Sequence, residues 1–184
     1  MADIAFFLAS MNEDFEQRQT IVVGGSYPGA LSAWFRAKYP HMAIASWAAS
    51  AVVQPIVDFW QYDEQVYQSS KLSGEWCPAA IAETQAWVTE QAALRLNGAP
   101  NWIDTVVKGT PAETMRTDDF MAFYADIAPG SVQYGQRVEM CETIKSHLGE
   151  PQSTIFQEVV AAQVAAGNPP EAYASGPGFK LNSE

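Results

Sequence analysis

The stretch Thr20 to Ala30, with the sequence TIVVGGSYPGA, constrains the fold of this chain more than any other. Its apolar, β-branched residues Ile21 to Val23 are typical of a strand, and Gly24 and Gly25 follow them directly. The next segment, LSAWFRAKY, carries apolar residues at helical spacing. The sequence therefore predicts a strand, a sharp turn and a helix, with Ser26 at the bend.

A serine at such a bend is a candidate nucleophile. Its hydroxyl needs a base to remove the proton, and a tight turn between strand and helix exposes the oxygen to a base on another loop. The glycines before Ser26 permit the strained backbone and close packing that this turn requires. The helix that follows points N–H groups and the positive end of its dipole at an oxyanion, and the backbone N–H of Tyr27 is the expected donor.

The turn by itself also fits a purely structural role. The general pattern around such serines is G-x-S-x-G, whereas here Pro28 takes the fifth position and Gly29 follows one place later. In the structural interpretation, Ser26 caps the helix and the glycines form a turn. Proline near the first helical turn fits both interpretations, because its missing N–H is not needed there.

A longer resemblance favours the catalytic interpretation. The eighteen residues GGSYPGALSAWFRAKYPH, 24 to 41, resemble the nucleophile segment of the prolyl carboxypeptidase and dipeptidyl peptidase II family of serine peptidases, which includes the thymus-specific serine protease. Weaker similarity continues through five further features: the leading DIAFF, the run 45–51, the Phe59 and Tyr62 pair, the stretch 126–135 and Cys141.

This resemblance implies a serine-type exopeptidase that cleaves peptides at prolyl bonds through an acyl-enzyme on Ser26, as a carboxypeptidase or a dipeptidyl peptidase. It implies a peptide substrate with proline near the scissile bond and a secreted, lysosomal or vacuolar location. In the family the position of Ala30 often holds a larger residue that lines the pocket for the substrate's proline. Alternatively, Ala30 is a helix residue that only packs on the sheet.

A catalytic serine also needs a base, and the chain has two histidines. His41 lies at the far end of the helix after Ser26, roughly 18 Å away, which is too far for a hydrogen bond. His147 follows Asp126 in the order that hydrolases use, but its KSHLG context suits a cation at a helix C-terminus. In the resembled family the catalytic Asp and His come after a helical insertion. The chain is therefore expected to lack both and to have negligible peptidase activity alone.

The resemblance also sets the expected domain organisation. Residues 1–53 are predicted to form part of an α/β-hydrolase core with the nucleophile elbow, and residues 54–167 a mostly α-helical cap domain inserted into that fold. Residues 168–184, rich in Gly, Pro and Ser, are predicted as a loose or truncated tail. No leader with a basic segment and an apolar segment is visible, so the chain is expected to begin in mid-domain.

Periodicity and turn signals predict two strands and eight helices. The strands are 20–24 and 42–47, and the helix between them, 28–39, makes one βαβ crossover. The other helices are predicted at 3–17, 58–70, 78–96, 102–107, 117–128, 131–148 and 153–166. Asp58 is the predicted cap of its helix, and Pro129-Gly130 the predicted break between the helices that flank it.

Composition excludes several function classes. The net charge is −11, from ten Lys and Arg against 21 Asp and Glu, which argues against nucleic acid and anionic membranes because both need a basic face. No apolar stretch approaches the roughly 20 residues that cross a membrane. The acidic pairs lack histidines and oxygen-rich spacing, and no phosphate loop or dinucleotide motif is present. Neither a metal nor a cofactor is predicted.

Cys77 and Cys141 are 64 positions apart, a spacing that fits neither a metal site nor a redox motif. They form either one disulfide across a long loop or two buried free thiols. In an oxidising compartment such a bridge adds roughly 3 to 5 kcal/mol to stability. The resemblance to a secreted family favours the bridge.

Two other functions stay open. A non-catalytic fragment, or a helical binding module that keeps the elbow as a relic, would account for the missing half of a hydrolase fold. Another acyl hydrolase, such as an esterase or lipase, shares the elbow but not the eighteen-residue similarity. The sequence also leaves open whether the chain forms a homodimer.

Overall fold

The computed structural model describes residues 1–14 and 19–174. The chain divides into two compact units, Met1–Asp58 and Phe59–Glu184, which we call the elbow unit and the helical unit. Helices dominate the described residues, and one small sheet lies in the elbow unit. The mainly helical character that the sequence predicts is thus observed.

The elbow unit contains a strand, a helix and a second strand, as its apolar pattern predicts. Its elements are α1 (Ala2–Asp14), β1 (Ile21–Gly25), α2 (Ser26–Lys38) and β2 (Ala45–Ala49). The two strands are parallel neighbours, with Ile21 opposite Ala45 and Gly25 opposite Ala49. The predicted helix over 3–17 is present as far as Asp14, and the rest of that prediction, 15–17, lies outside the described residues.

The helical unit contains six α-helices among its described residues, followed by a short 3-10 helix. They are α3 (Trp60–Lys71), α4 (Trp76–Leu96), α5 (Trp102–Val107), α6 (Thr117–Gln133), α7 (Arg137–Ser146), α8 (Gln152–Ala165) and the 3-10 helix Pro170–Tyr173. The predicted stop at Asn97-Gly98 is observed. Gly98 has a positive φ, and the Ala99 N–H donates to the Leu94 carbonyl at 2.9 Å, which satisfies a carbonyl of the last turn.

One continuous apolar core holds the helical unit together. Phe120 and Phe156 are fully buried and their ring centroids are 6.1 Å apart, in an edge-to-face arrangement. Cys77 in α4 and Cys141 in α7 are joined by a disulfide, and both are fully buried in the same core. The bridge therefore ties two helices together at the centre of the unit.

The predicted break at Pro129-Gly130 is wrong, because α6 continues through both residues to Gln133. Ile127 and Ser131 are buried on either side of the proline, so core packing keeps the helix continuous where the local signal favours a stop. The helix ends instead after Gln133, two residues before Gly135, which has a φ of +79°. There the Gln136 N–H donates to the Ser131 carbonyl at 2.7 Å, in a Schellman arrangement.

Two further sequence predictions differ from the structure. Asp58 does not cap α3: it has a positive φ, Phe59 takes the N-cap position, and no side-chain capping bond is present there. The predicted loose tail over 168–184 begins with packed residues. Pro170 is buried and the Tyr173 ring lies 5.6 Å from the Phe123 ring, whereas residues 175–184 lie outside the described part.

Candidate active site

The backbone bends sharply at Ser26, between β1 and α2. Gly25 is extended, with φ −117° and ψ 149°, whereas Ser26 has a φ of +57° and begins the helix. A positive φ is uncommon for a residue other than glycine and stores strain, and it is the backbone conformation expected at a nucleophile elbow. The Ser26 side chain is exposed. The bend predicted from the sequence is therefore present, with its hydroxyl accessible.

Two glycines allow α2 to lie against the strands at this bend. A Cβ atom at Gly24 would lie 2.1 Å from the Pro28 carbonyl oxygen, and one at Gly29 would lie 2.8 Å from the Ala49 carbonyl oxygen. Both distances are below any real Cβ contact, so glycine is required at these two positions. Gly25 differs, because a Cβ there would lie 4.0 Å from the Ala49 oxygen.

A buried serine inside α2 anchors the helix to the sheet. The Ser32 hydroxyl donates to the Gly29 carbonyl at 2.8 Å and lies 3.3 Å from the Trp47 carbonyl oxygen in β2. The sequence analysis did not identify Ser32 as part of the site. A serine on the apolar face of the helix, three positions after Gly29, is the sequence feature that indicates a buried hydrogen bond there.

The residue after the bend, Tyr27, lies in the first turn of α2, where backbone N–H groups have no intrahelical acceptor. Its side chain is exposed and contacts Trp34 edge-on, with ring centroids 6.4 Å apart. The Trp34 indole N–H in turn donates to the Val53 carbonyl at 3.2 Å. These contacts orient the Tyr27 side chain while leaving its backbone N–H at the start of the helix.

Ala30 is fully buried in the elbow unit. A residue that lines a substrate pocket exposes surface to that pocket, and Ala30 exposes none. Its burial favours the packing role over the role of a pocket wall.

Among the described residues of the elbow unit, no histidine is a hydrogen-bond partner of Ser26. His41 follows α2, which has 13 residues and therefore places this histidine about 20 Å from the bend. His147, in the helical unit, has its Nδ1 atom 3.2 Å from Glu150 Oε1. Among the described residues, no hydrogen bond of the Ser26 hydroxyl is present.

Asp126 and His147 follow each other in the order of a hydrolase triad, but each forms its hydrogen bond with another residue. The Tyr173 hydroxyl donates to Asp126 Oδ2 at 2.5 Å, and this hydrogen bond raises the pKa of Tyr173 to about 12. Burial, with the charge of Asp126 as a smaller cause, raises the pKa of Tyr62. Asp126 is thus the centre of a tyrosine cluster. Over residues 1–14 and 19–174, no group of acidic, histidine or cysteine side chains is arranged to hold a metal ion.

Comparison with known proteins decides the family. The model of the serine carboxypeptidase S28 family matches residues 1–166. The chain belongs to this family. A probable serine protease of Arabidopsis thaliana is 32% identical to the chain in an alignment of 149 residues that covers 76% of this chain and 29% of that protein. The family that the eighteen-residue stretch indicated is thereby confirmed.

Two human relatives match shorter regions. The thymus-specific serine protease is 40% identical over 81 residues, 43% of this chain and 16% of that protein. The lysosomal Pro-X carboxypeptidase is 47% identical over 51 residues, 28% of this chain and 9% of that protein. The chain thus spans less than a third of the length of these relatives. No solved structure matches it.

Proposed function

We propose that Ser26 is the nucleophile of a serine-type exopeptidase that cleaves peptides at prolyl bonds. The single observation that carries this proposal is the bend itself: an exposed serine with a φ of +57° between β1 and α2. A hydroxyl held there is open to a substrate carbonyl and to a base on another loop. The name of one human relative, the lysosomal Pro-X carboxypeptidase, supports prolyl specificity and carboxypeptidase action, while the resemblance of the sequence keeps dipeptidyl peptidase action as the alternative.

In the proposed mechanism, Ser26 Oγ attacks the scissile carbonyl carbon while its proton passes to a histidine base. The backbone N–H of Tyr27 donates to the oxyanion that forms, since it lies at the positive end of α2. The carbon–nitrogen bond then breaks, and the leaving amine takes the proton from the base. Water hydrolyses the acyl-enzyme by the reverse proton transfers and frees Ser26.

We place the base and its aspartate outside these 184 residues. His41 is about 20 Å from Ser26 along α2, and His147 is engaged with Glu150. A serine without its base keeps its proton and reacts only slowly. The 184-residue chain alone is therefore expected to have negligible peptidase activity.

Labelling with a fluorophosphonate probe tests this proposal, on the 184-residue chain and on any longer polypeptide that carries it. Ser50 provides a matched control, because it is also exposed, also has a positive φ, at +46°, and lies in the same unit. We expect Ser26→Ala to abolish labelling of the longer polypeptide and Ser50→Ala to leave it unchanged. Labelling of the short chain at Ser26 would show that the base lies within it.

Absence of labelling at Ser26 in both polypeptides would favour a non-catalytic binding module. This second candidate is supported by the lack of any hydrogen bond of the Ser26 hydroxyl among the described residues. Hydrolysis of simple esters, without cleavage of any prolyl peptide, would instead favour an esterase or lipase that uses the same bend.

We also propose a secreted, lysosomal or vacuolar location. The buried Cys77–Cys141 disulfide supports an oxidising route, and the name of the lysosomal human relative agrees with it. In the part of the chain that the structure describes, none of the helices is long and apolar enough to span a bilayer.

A further inference from the structure

The helical unit contains a cavity of about 480 Å³ among α3, α4 and α6. Apolar side chains, such as Val66 from α3 and Ile81 from α4, form much of its wall. Polar side chains in the wall are those of Asp63, Tyr67, Ser70 and Gln85. A cavity of this volume, with apolar walls and a few polar groups, is typical of a site for a small molecule or a short peptide.

Pro129 changes the chemistry of the cavity wall. It lies inside α6, and proline has no backbone N–H to donate to the carbonyl four residues earlier, that of Ala125. Both Ala125 and Pro129 line the cavity. Because its intrahelical donor is missing, the carbonyl of Ala125 is left for a donor from outside the helix, such as a ligand or water.

Asp63 adds a negative charge to the same cavity, from the first turn of α3. None of the ion pairs among the described residues includes Asp63. Lys71 lies over the ring of Tyr67, a cavity residue, 5.5 Å from the ring centroid. Its ammonium group is paired with Glu75 at 3.1 Å and not with Asp63. The cavity wall therefore combines an acidic residue, Asp63, and a residue whose carbonyl lacks its intrahelical donor, Ala125, with apolar side chains.

We propose that this cavity binds a primary ammonium group carried on an apolar body, as in the amino terminus or a lysine side chain of a short peptide. An ammonium group has three donors and one positive charge, which match the Asp63 carboxylate and the Ala125 carbonyl. The apolar body packs on the aliphatic walls. This proposal does not rest on the function proposed for Ser26.

Isothermal titration calorimetry with the 184-residue protein tests the ligand class. The probes are Leu-Leu-Leu amide, with a free amino terminus, acetyl-Leu-Leu-Lys amide, with only a lysine ammonium, and acetyl-Leu-Leu-Leu amide, with neither. We expect at least one charged probe to bind about tenfold more tightly than the uncharged probe. The stronger charged probe identifies the source of the ammonium group. Equal binding of all three, or no binding, would overturn the proposal.

Two pairs of variants locate the site. Asp63→Asn is expected to weaken binding of the better probe about tenfold, whereas Glu64→Gln, the neighbouring exposed residue outside the cavity, should leave it unchanged. Ala82→Phe should block the cavity, whereas Ala86→Phe, also exposed and one turn further along α4, should not. Melting curves show that each variant is folded. Equal effects within either pair would place binding elsewhere.

Pro129→Ala tests the part assigned to the carbonyl. The new N–H can donate to the Ala125 carbonyl, so we expect binding of the charged probe to weaken about fivefold. The same change should raise the melting temperature, because alanine suits a helix interior better than proline. A more stable variant with unchanged affinity would overturn the role of the Ala125 carbonyl.

Discussion

The elbow unit and the helical unit are stabilised in different ways. In the elbow unit, Phe35 is the one large side chain among the described residues that is fully buried, and Ile21, Val23 and Trp47 are 57%, 68% and 69% exposed. In the helical unit, the aromatic core and the disulfide form one continuous buried cluster. Local backbone geometry therefore shapes the elbow unit, whereas extensive apolar burial stabilises the helical unit.

This difference bears on function. The strained bend at Ser26 is maintained by close backbone approach at Gly24 and Gly29 and by the Ser32 hydroxyl, none of which requires a large core. The cavity of the helical unit, in contrast, lies among helices that a shared core holds in place. A perturbation of one unit should consequently leave the other largely intact.

Loss of the disulfide should have the largest effect, and it tests whether the two units are stabilised independently. Replacing both Cys77 and Cys141 by Ala removes a crosslink across 64 residues, which the loop-entropy relation values at about 4 kcal/mol. We expect faster hydrogen exchange in α4 and α7 and unchanged exchange in β1 and α2, measured by mass spectrometry. Equal acceleration in both units would show that their stabilities are not independent.

A glycine pair tests the elbow unit in the same way. Gly24→Ala should destabilise β1 and α2 by about 3 kcal/mol, because the new methyl group would overlap the Pro28 carbonyl. Gly25→Ala is the matched control, with room for a Cβ, and should cost less than about 1 kcal/mol. Hydrogen exchange in β1 and α2 measures the loss of stability in each variant, and exchange in α4 should be unchanged. Similar losses from the two variants would contradict the importance of close approach at Gly24.

The smallest expected effect is a change in the stability of the helical unit at alkaline pH. The Tyr173 pKa is raised from 10.0 to about 12, chiefly by its hydrogen bond to Asp126, so the folded state holds this proton more tightly than the unfolded state. Its contribution is complete below pH 10 and is lost as the pH rises towards 12. We expect Tyr173→Phe to make the unfolding free energy of the helical unit less dependent on pH across that interval, measured by urea unfolding. An unchanged dependence of the unfolding free energy on pH in this variant would show that Tyr173 is not its cause.

Sequence reasoning succeeded where the determinants are local. The β-branched run, the two glycines and the helical spacing after Ser26 are neighbours in the chain, so they predict the strand, the bend and the helix. The same holds for the stop at Asn97-Gly98, where glycine supplies the positive φ that the helix end requires.

It failed where partners come from distant parts of the chain. The continuation of α6 through Pro129 depends on burial of Ile127 and Ser131, which only the folded core provides. The Ser32 contact with the Trp47 carbonyl joins a helix to a strand fifteen residues later. The role of Asp126 likewise depends on Tyr173, 47 positions away.

The disulfide also determines how a cleaved form of this protein would behave. Cys77 and Cys141 enclose all of α5 and α6 and almost all of α4. A single proteolytic cut between these two cysteines therefore leaves both pieces covalently joined. A nicked molecule would migrate as the intact chain in denaturing electrophoresis until a reducing agent is added, so the processing history of the helical unit is visible only after reduction.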